Sequence, residues 1–75
     1  MPKIPAGDAE IRQAVINALH WDLAVPRHHV HVRVQNGWVT LSGRVEHAYS
    51  RTAAEADARA IPDVKGVTNA IEANA

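Results

Sequence analysis

Five histidines in a chain of 75 residues are the first feature with chemical potential. His29 and His31 lie two apart, a spacing that sets both on one face of a β-strand. Imidazole nitrogens ligate zinc and related metals, but a site here needs a third ligand. His28 or His47 supplies one only after a loop rearrangement, and Arg44, opposite His29 in the pairing derived below, repels a cation. Solvated surface histidines are the simpler reading, so no metal and no cofactor are expected.

The distribution of charge says more than its sum. Eight basic residues balance eight acidic ones, so any attraction to anions is local. No acidic residue lies between Asp22 and Glu46, and that window holds Arg27, Arg33, Arg44, His28, His29 and His31. The acidic residues gather instead on the segments read below as helices. A basic face that also carries Trp38 suits anionic lipid headgroups, each nearby cation adding about 1 kcal/mol at low salt. An ordinary solvated face is the alternative. Histidine protonation near pH 6 strengthens an anion-binding face. Attachment to anionic vesicles is therefore expected to rise as the pH falls from about 7.5 to 5.5.

Other function classes fall away. Three arginines on one face give few phosphate contacts, so nucleic acid is not an expected partner. Ser42-Gly43 lacks a nucleophile elbow, no HExxH occurs, and the glycines are too dispersed for a phosphate loop. No catalytic residue is expected. No apolar run approaches the roughly 20 residues of a membrane-spanning helix. The absence of cysteine excludes disulfides and thiolate metal sites. The first residues lack a secretory signal. The chain as given reads as cytoplasmic, or as periplasmic if a signal was removed.

The elements that must position these residues follow from periodicity. Residues 1–7, with two prolines and a glycine, read as a flexible tail, and 8–75 as a single domain. Asp8 is the expected N-cap of a first helix, with Glu10 in its first turn. Ile11, Ala14, Val15, Ala18 and Leu19 make one apolar stripe, while Arg12, Asn17 and His20 point away. Pro26 limits the helix to about Trp21 or Asp22. Trp21 is expected to plug the core under the following loop.

Strict alternation then sets Val30, Val32 and Val34 on one face and His29, His31, Arg33 and Gln35 on the other. Asn36-Gly37 is a strong type I′ hairpin signal. A two-residue loop pairs Gln35 with Trp38, Val34 with Val39, Val32 with Leu41 and Val30 with Gly43, so apolar partners meet throughout. Trp38 falls on the open face, either as an interface residue or as a cross-strand packing residue. A second helix is expected from about Ser50 to Ala60, with Ala54, Ala58 and Ile61 inward and Glu55, Asp57 and Arg59 outward. Pro62 stops it. Val67, Asn69, Ile71 and Ala73 alternate as a third strand, although Asn69 is polar at an inward position.

The implied fold class is α+β: a two-layer α/β sandwich of order α-β-β-α-β, with a three-stranded mixed sheet and two helices on one face. The third strand is expected parallel beside the second, with a place beside the first as the alternative.

Several strings resemble the BON domain, named for bacterial osmotically inducible and nodulation proteins. They are IRQAVINALHW ending at Trp21, NGWVTLSGRV from Asn36 to Val45, Ile61-Pro62-Asp63-Val64, and the stretch from Gly66 to Ile71. The resemblance covers about Asp8 to Ala73. Gly37 and Gly43 match the two glycines of the family pattern, while Asp63 stands where the family usually has glycine. Ala70 and Ala73 are smaller than usual. The resemblance implies a transport-associated, phospholipid-binding or envelope-partner module without catalytic residues, linked to osmotic stress, and one unit of a string of such domains. Potassium sensing is a lesser implied role.

The candidate binding residues are His29, His31, Arg33, Trp38 and Arg44, with Asn36, Gly37 and Gly43 as structural positions. The expected partner is an anionic phospholipid surface or a protein, including a second copy of the chain or a neighbouring BON domain.

Overall fold

The computed structural model describes residues 7–73, so the expected tail lies, apart from Gly7, outside the described residues. Helix α1 spans Asp8–Trp21, strand β1 Val30–Gln35, β2 Trp38–Val45, helix α2 Ala48–Arg59 and β3 Gly66–Ala73. A single 3-10 turn, Arg27–His29, leads into β1. The sheet order is β1-β2-β3, antiparallel across the first pair and parallel across the second. The crossover through α2 thus sets the third strand beside the second.

The hairpin register pairs Val30 with Gly43, Val32 with Leu41, Val34 with Val39 and Gln35 with Trp38. Asn36 and Gly37 have φ of 52° and 80°, as a type I′ turn requires. One face of the sheet is covered by both helices. Ile11, Val15 and Leu19 of α1 meet Val30, Val39, Leu41, Val45, Val67 and Ile71 there. Helix α2 turns Ser50, Ala54 and Ala58 inward, and these small residues let its backbone approach the sheet closely.

Three local expectations change. The N-cap of α1 is Gly7, and Asp8 begins the helix proper. The Asp8 carboxylate instead accepts hydrogen bonds from the amides of Asn36 at 2.9 Å and Gly37 at 3.0 Å. Two successive amides in a left-handed turn form a concavity that favours an anion, and Asp8 fills it. Helix α1 is thereby tied to the hairpin. Asp8→Ala is expected to destabilise the domain by about 1–2 kcal/mol. Asp8→Asn should recover part of this, as urea midpoints would show; equal midpoints for all three proteins would contradict the tie.

The second change is Asn69. Its inward side chain lies at the free edge of β3, where Nδ2 donates to the Arg51 carbonyl and Oδ1 accepts from the Ile71 amide. Arg51 returns two hydrogen bonds, to the carbonyls of Ile71 and Asn69. On the opposite edge, Arg12 Nε of α1 donates to the Val32 carbonyl of β1. The third is Asp57, placed outward by periodicity but half-buried, with Oδ2 enclosed. Asp63, at the family's usual glycine, has φ of 72°, a conformation that aspartate tolerates better than most residues.

Candidate binding surface

The open face of the sheet carries His31 and Arg33 from β1, Trp38 and Arg44 from β2, and Thr68 and Glu72 from β3. His29 does not belong to it. Its amide bonds the Pro26 carbonyl at 2.8 Å, which tightens the chain into the 3-10 turn and delays the start of β1. The His29 carbonyl instead crosses directly over Gly43. His29 and Arg44 still line one groove at the end of the sheet, so the five candidates divide between two surfaces.

The basic character of the open face is weaker than the window between Asp22 and Glu46 implied. Parallel pairing sets Glu72 beside Arg44, and their side chains form an ion pair at 3.1 Å. Both are exposed, so the pair adds little stability, yet it cancels one cation. Arg33 has no ion-pair partner among the described residues. Trp38 packs cross-strand. Its indole covers Gly66, where a β-carbon would run into the ring, and its Nε1 donates to Thr68 Oγ1 at 2.7 Å. It remains 49% exposed. The indole thus secures the β2–β3 pairing and leaves one edge to solvent.

The larger apolar exposure lies at the opposite end of the sheet from the hairpin turn. Trp21 is 81% exposed, against the expectation that it plugs the core. Two residues beyond Leu19 it sits about 200° around the helix from the buried stripe, so it faces solvent. Val25 takes the core position instead, and the loop closes through a bond from the Ala24 amide to Asp22 Oδ1. Leu23, at the tip, is wholly exposed, and Tyr49 at the start of α2 is 61% exposed. Four of the five histidines, His20, His28, His29 and His47, belong to the segments that meet at this end. His47 stacks on Tyr49 at 4.9 Å, and His20 meets Trp21 edge-on at 5.4 Å. Leu23, Pro26, His29, Arg44, His47 and Tyr49 line a shallow groove of about 530 Å³. Sequence reasoning missed this surface, although the helical angle of Trp21 was a readable signal.

Beneath the loop, Asp22 and Asp57 bring two carboxyls together. Burial, and then the hydrogen bond and charge of Asp22, push Asp57 up to about 7. Asp22 is held below the usual carboxylate range by its bond from Asp57 and by the Ala24 amide. Below about pH 7 Asp57 therefore holds a proton that it can share with Asp22. Among the described residues, no cluster of three His, Cys, Asp or Glu side chains is arranged to hold a metal ion. No helix among them is long and apolar enough to cross a membrane.

A comparison with protein families matches the BON domain over residues 7–75. The chain belongs to the BON domain family. Membership covers the hairpin, both helices and the closing strand together, and is consistent with a non-catalytic binding module. No curated protein matches the chain.

Proposed function

We propose that this BON domain is a non-catalytic module that attaches to anionic phospholipid surfaces through the end bearing Trp21, Leu23 and Tyr49. The observation that carries the reading is the exposure of Leu23 at a loop tip beside Trp21. An exposed leucine at a tip, with exposed Trp21 two residues before it and exposed Tyr49 lining the same groove, matches the gradient of a bilayer interface, where Trp and Tyr concentrate. Burying one such side chain contributes about 1.5–3 kcal/mol. The side chains of His29 and His47 in the adjoining groove add polar edges suited to headgroup contact. The family's association with bacterial envelopes and osmotic stress fits such a surface-attached role.

Leu23→Asp combined with Trp21→Ala is expected to lower affinity for phosphatidylglycerol-containing vesicles at least about tenfold while the fold persists, since both side chains lie outside the core. Vesicle co-sedimentation, with circular dichroism as the fold control, measures this. Unchanged binding would reject the surface. A second reading rests on the uncovered sheet face, where Arg33, the outer edge of Trp38 and the Arg44–Glu72 pair offer a flat polar surface for a protein partner or a second copy. It predicts concentration-dependent oligomers and little response to lipid charge.

A further inference from the structure

We propose that the outer edge of β1, where it borders α1, takes up an extended acidic segment of a partner protein as a fourth strand of the sheet. The site lies apart from Leu23 and Tyr49 and does not depend on the membrane reading.

The hairpin dictates which groups of β1 are open. A two-residue loop makes Gln35 and Trp38 a hydrogen-bonded pair, and such pairs alternate along an antiparallel ladder. Arg33 and His31 therefore bond to β2, while the amides and carbonyls of Val32 and Val34 point away from the sheet. The bond from Arg12 Nε to the Val32 carbonyl marks this outward side. The Val32 and Val34 amides and the Val34 carbonyl have no hydrogen-bond partner among the described residues. The rim of β3 differs, because Arg51 and Asn69 hold its central groups. An edge strand with free amides is where a sheet takes up an extended peptide, with main-chain bonds giving affinity and side-chain pockets giving specificity.

The side chains along this edge say what the peptide is. Arg12, Ile16, Leu19, His28, Val30 and Val32 line a groove of about 430 Å³ between α1 and β1. Val32 and Val34 sit on the covered face of the sheet yet are only half-buried, as is Ile16. They leave an apolar seam that an added strand would cover. No carboxylate lines the groove. Arg12 borders it on the helix side, and Arg33 projects from the open face of the same strand. Both are exposed, and neither has an ion-pair partner among the described residues. An acidic residue beside Arg33 makes an opposite-charge cross-strand pair. Arg12 can exchange its exposed bond for a carboxylate, which releases the Val32 carbonyl to the incoming strand. A second copy of β1 would instead bring its own arginine to this rim, and like charges across a strand pair are destabilising. The occupant is therefore an acidic chain, and about five residues suffice to span Val30 to Val34.

Amide-detected NMR titration with a hexapeptide of alternating glutamate and valine tests the site. Saturable shifts and slower solvent exchange are expected at the Val32 and Val34 amides. The peptide with lysine in place of glutamate should bind at least about fivefold more weakly. Arg33→Glu should reverse that preference, and its exposed side chain leaves the fold intact. Of two forms of the acidic peptide, each N-methylated on alternate residues, at least one should lose binding, because its amides toward β1 are blocked. No saturable shift at Val32 and Val34 up to about 1 mM acidic peptide overturns the site. Equal binding of the lysine peptide overturns the acidic partner, and undiminished binding of both N-methylated forms overturns strand addition. If the same amides shift with protein concentration alone, the edge is filled by a second copy and the proposal falls.

Discussion

Gly43→Ala is expected to destabilise the domain by about 3–5 kcal/mol, enough to unfold most small domains at room temperature. Two causes act at once. Gly43 has φ of +126°, a backbone region that side chains with a β-carbon rarely adopt. A β-carbon there would also run into the His29 carbonyl oxygen, with Val30 Cα close behind. The obstacle is backbone, so no rotamer change relieves it. The 3-10 turn would have to lift, and Val25 and Val30, both buried on either side of it, would lose their packing. Circular dichroism and urea denaturation measure the outcome. A variant that unfolds within a few tenths of a molar of the parent's urea midpoint would show that the turn is far more yielding than this contact implies.

The carboxyl pair gives the second large effect. Asp57 ionises at about 7 in the folded protein and near 3.8 when unfolded. Below about pH 4 it is neutral in both states and imposes no penalty. Between pH 4 and 7 the unfolded chain gives up this proton while the folded chain keeps it, so stability falls as pH rises, and levels off above 7. Asp22, shifted down, acts in the opposite sense, and its contribution is lost only as the solution becomes more acidic than its usual range. Allowing for solvent near a half-buried pair, the Asp57 penalty amounts to about 1–2 kcal/mol by pH 8.

Asp57→Asn removes the titrating group and keeps an N–H donor for Asp22. The variant should match the parent near pH 4 and exceed it by about 1–2 kcal/mol at pH 8. The difference between the two stability curves isolates this pair from the histidines, which both proteins share. Parallel curves from pH 4 to 8 would remove the shared proton from the account.

Much of the fold was legible because two strong signals coincided. Alternating valines fix which face of β1 is buried, and Asn36-Gly37 fixes the loop length, so the register follows without tertiary information. The parallel placement of β3 was one of two permitted solutions, and the helix crossover selected it. Asp8 was misread because capping is a local preference, whereas the hairpin amides that claim it lie 28 and 29 residues away.

The candidate surface was less legible for a related reason. Trp21 and Leu23 are large apolar residues, and composition alone assigns such residues to a core. The core has room for only one residue of that loop, and Val25 fills it. Glu72 was overlooked beside Arg44 because their proximity depends on the parallel pairing. Trp38 lay on the expected face, but its role in covering Gly66 becomes evident only when β2 and β3 are adjacent.

The arginines at the sheet margins have a consequence for crowding. A strand at the rim of a sheet normally invites another chain to extend it, and molecules held close together are the ones most prone to this. Along β3, the carbonyls of Asn69 and Ile71 and the Ile71 amide already have partners within the chain, and on β1 Arg12 occupies the Val32 carbonyl. Copies joined in tandem, or concentrated on a lipid surface, would find fewer free groups in the middle of the β3 rim with which to zip into fibrils. The β3 rim is thereby partly closed to strand addition when copies are crowded together.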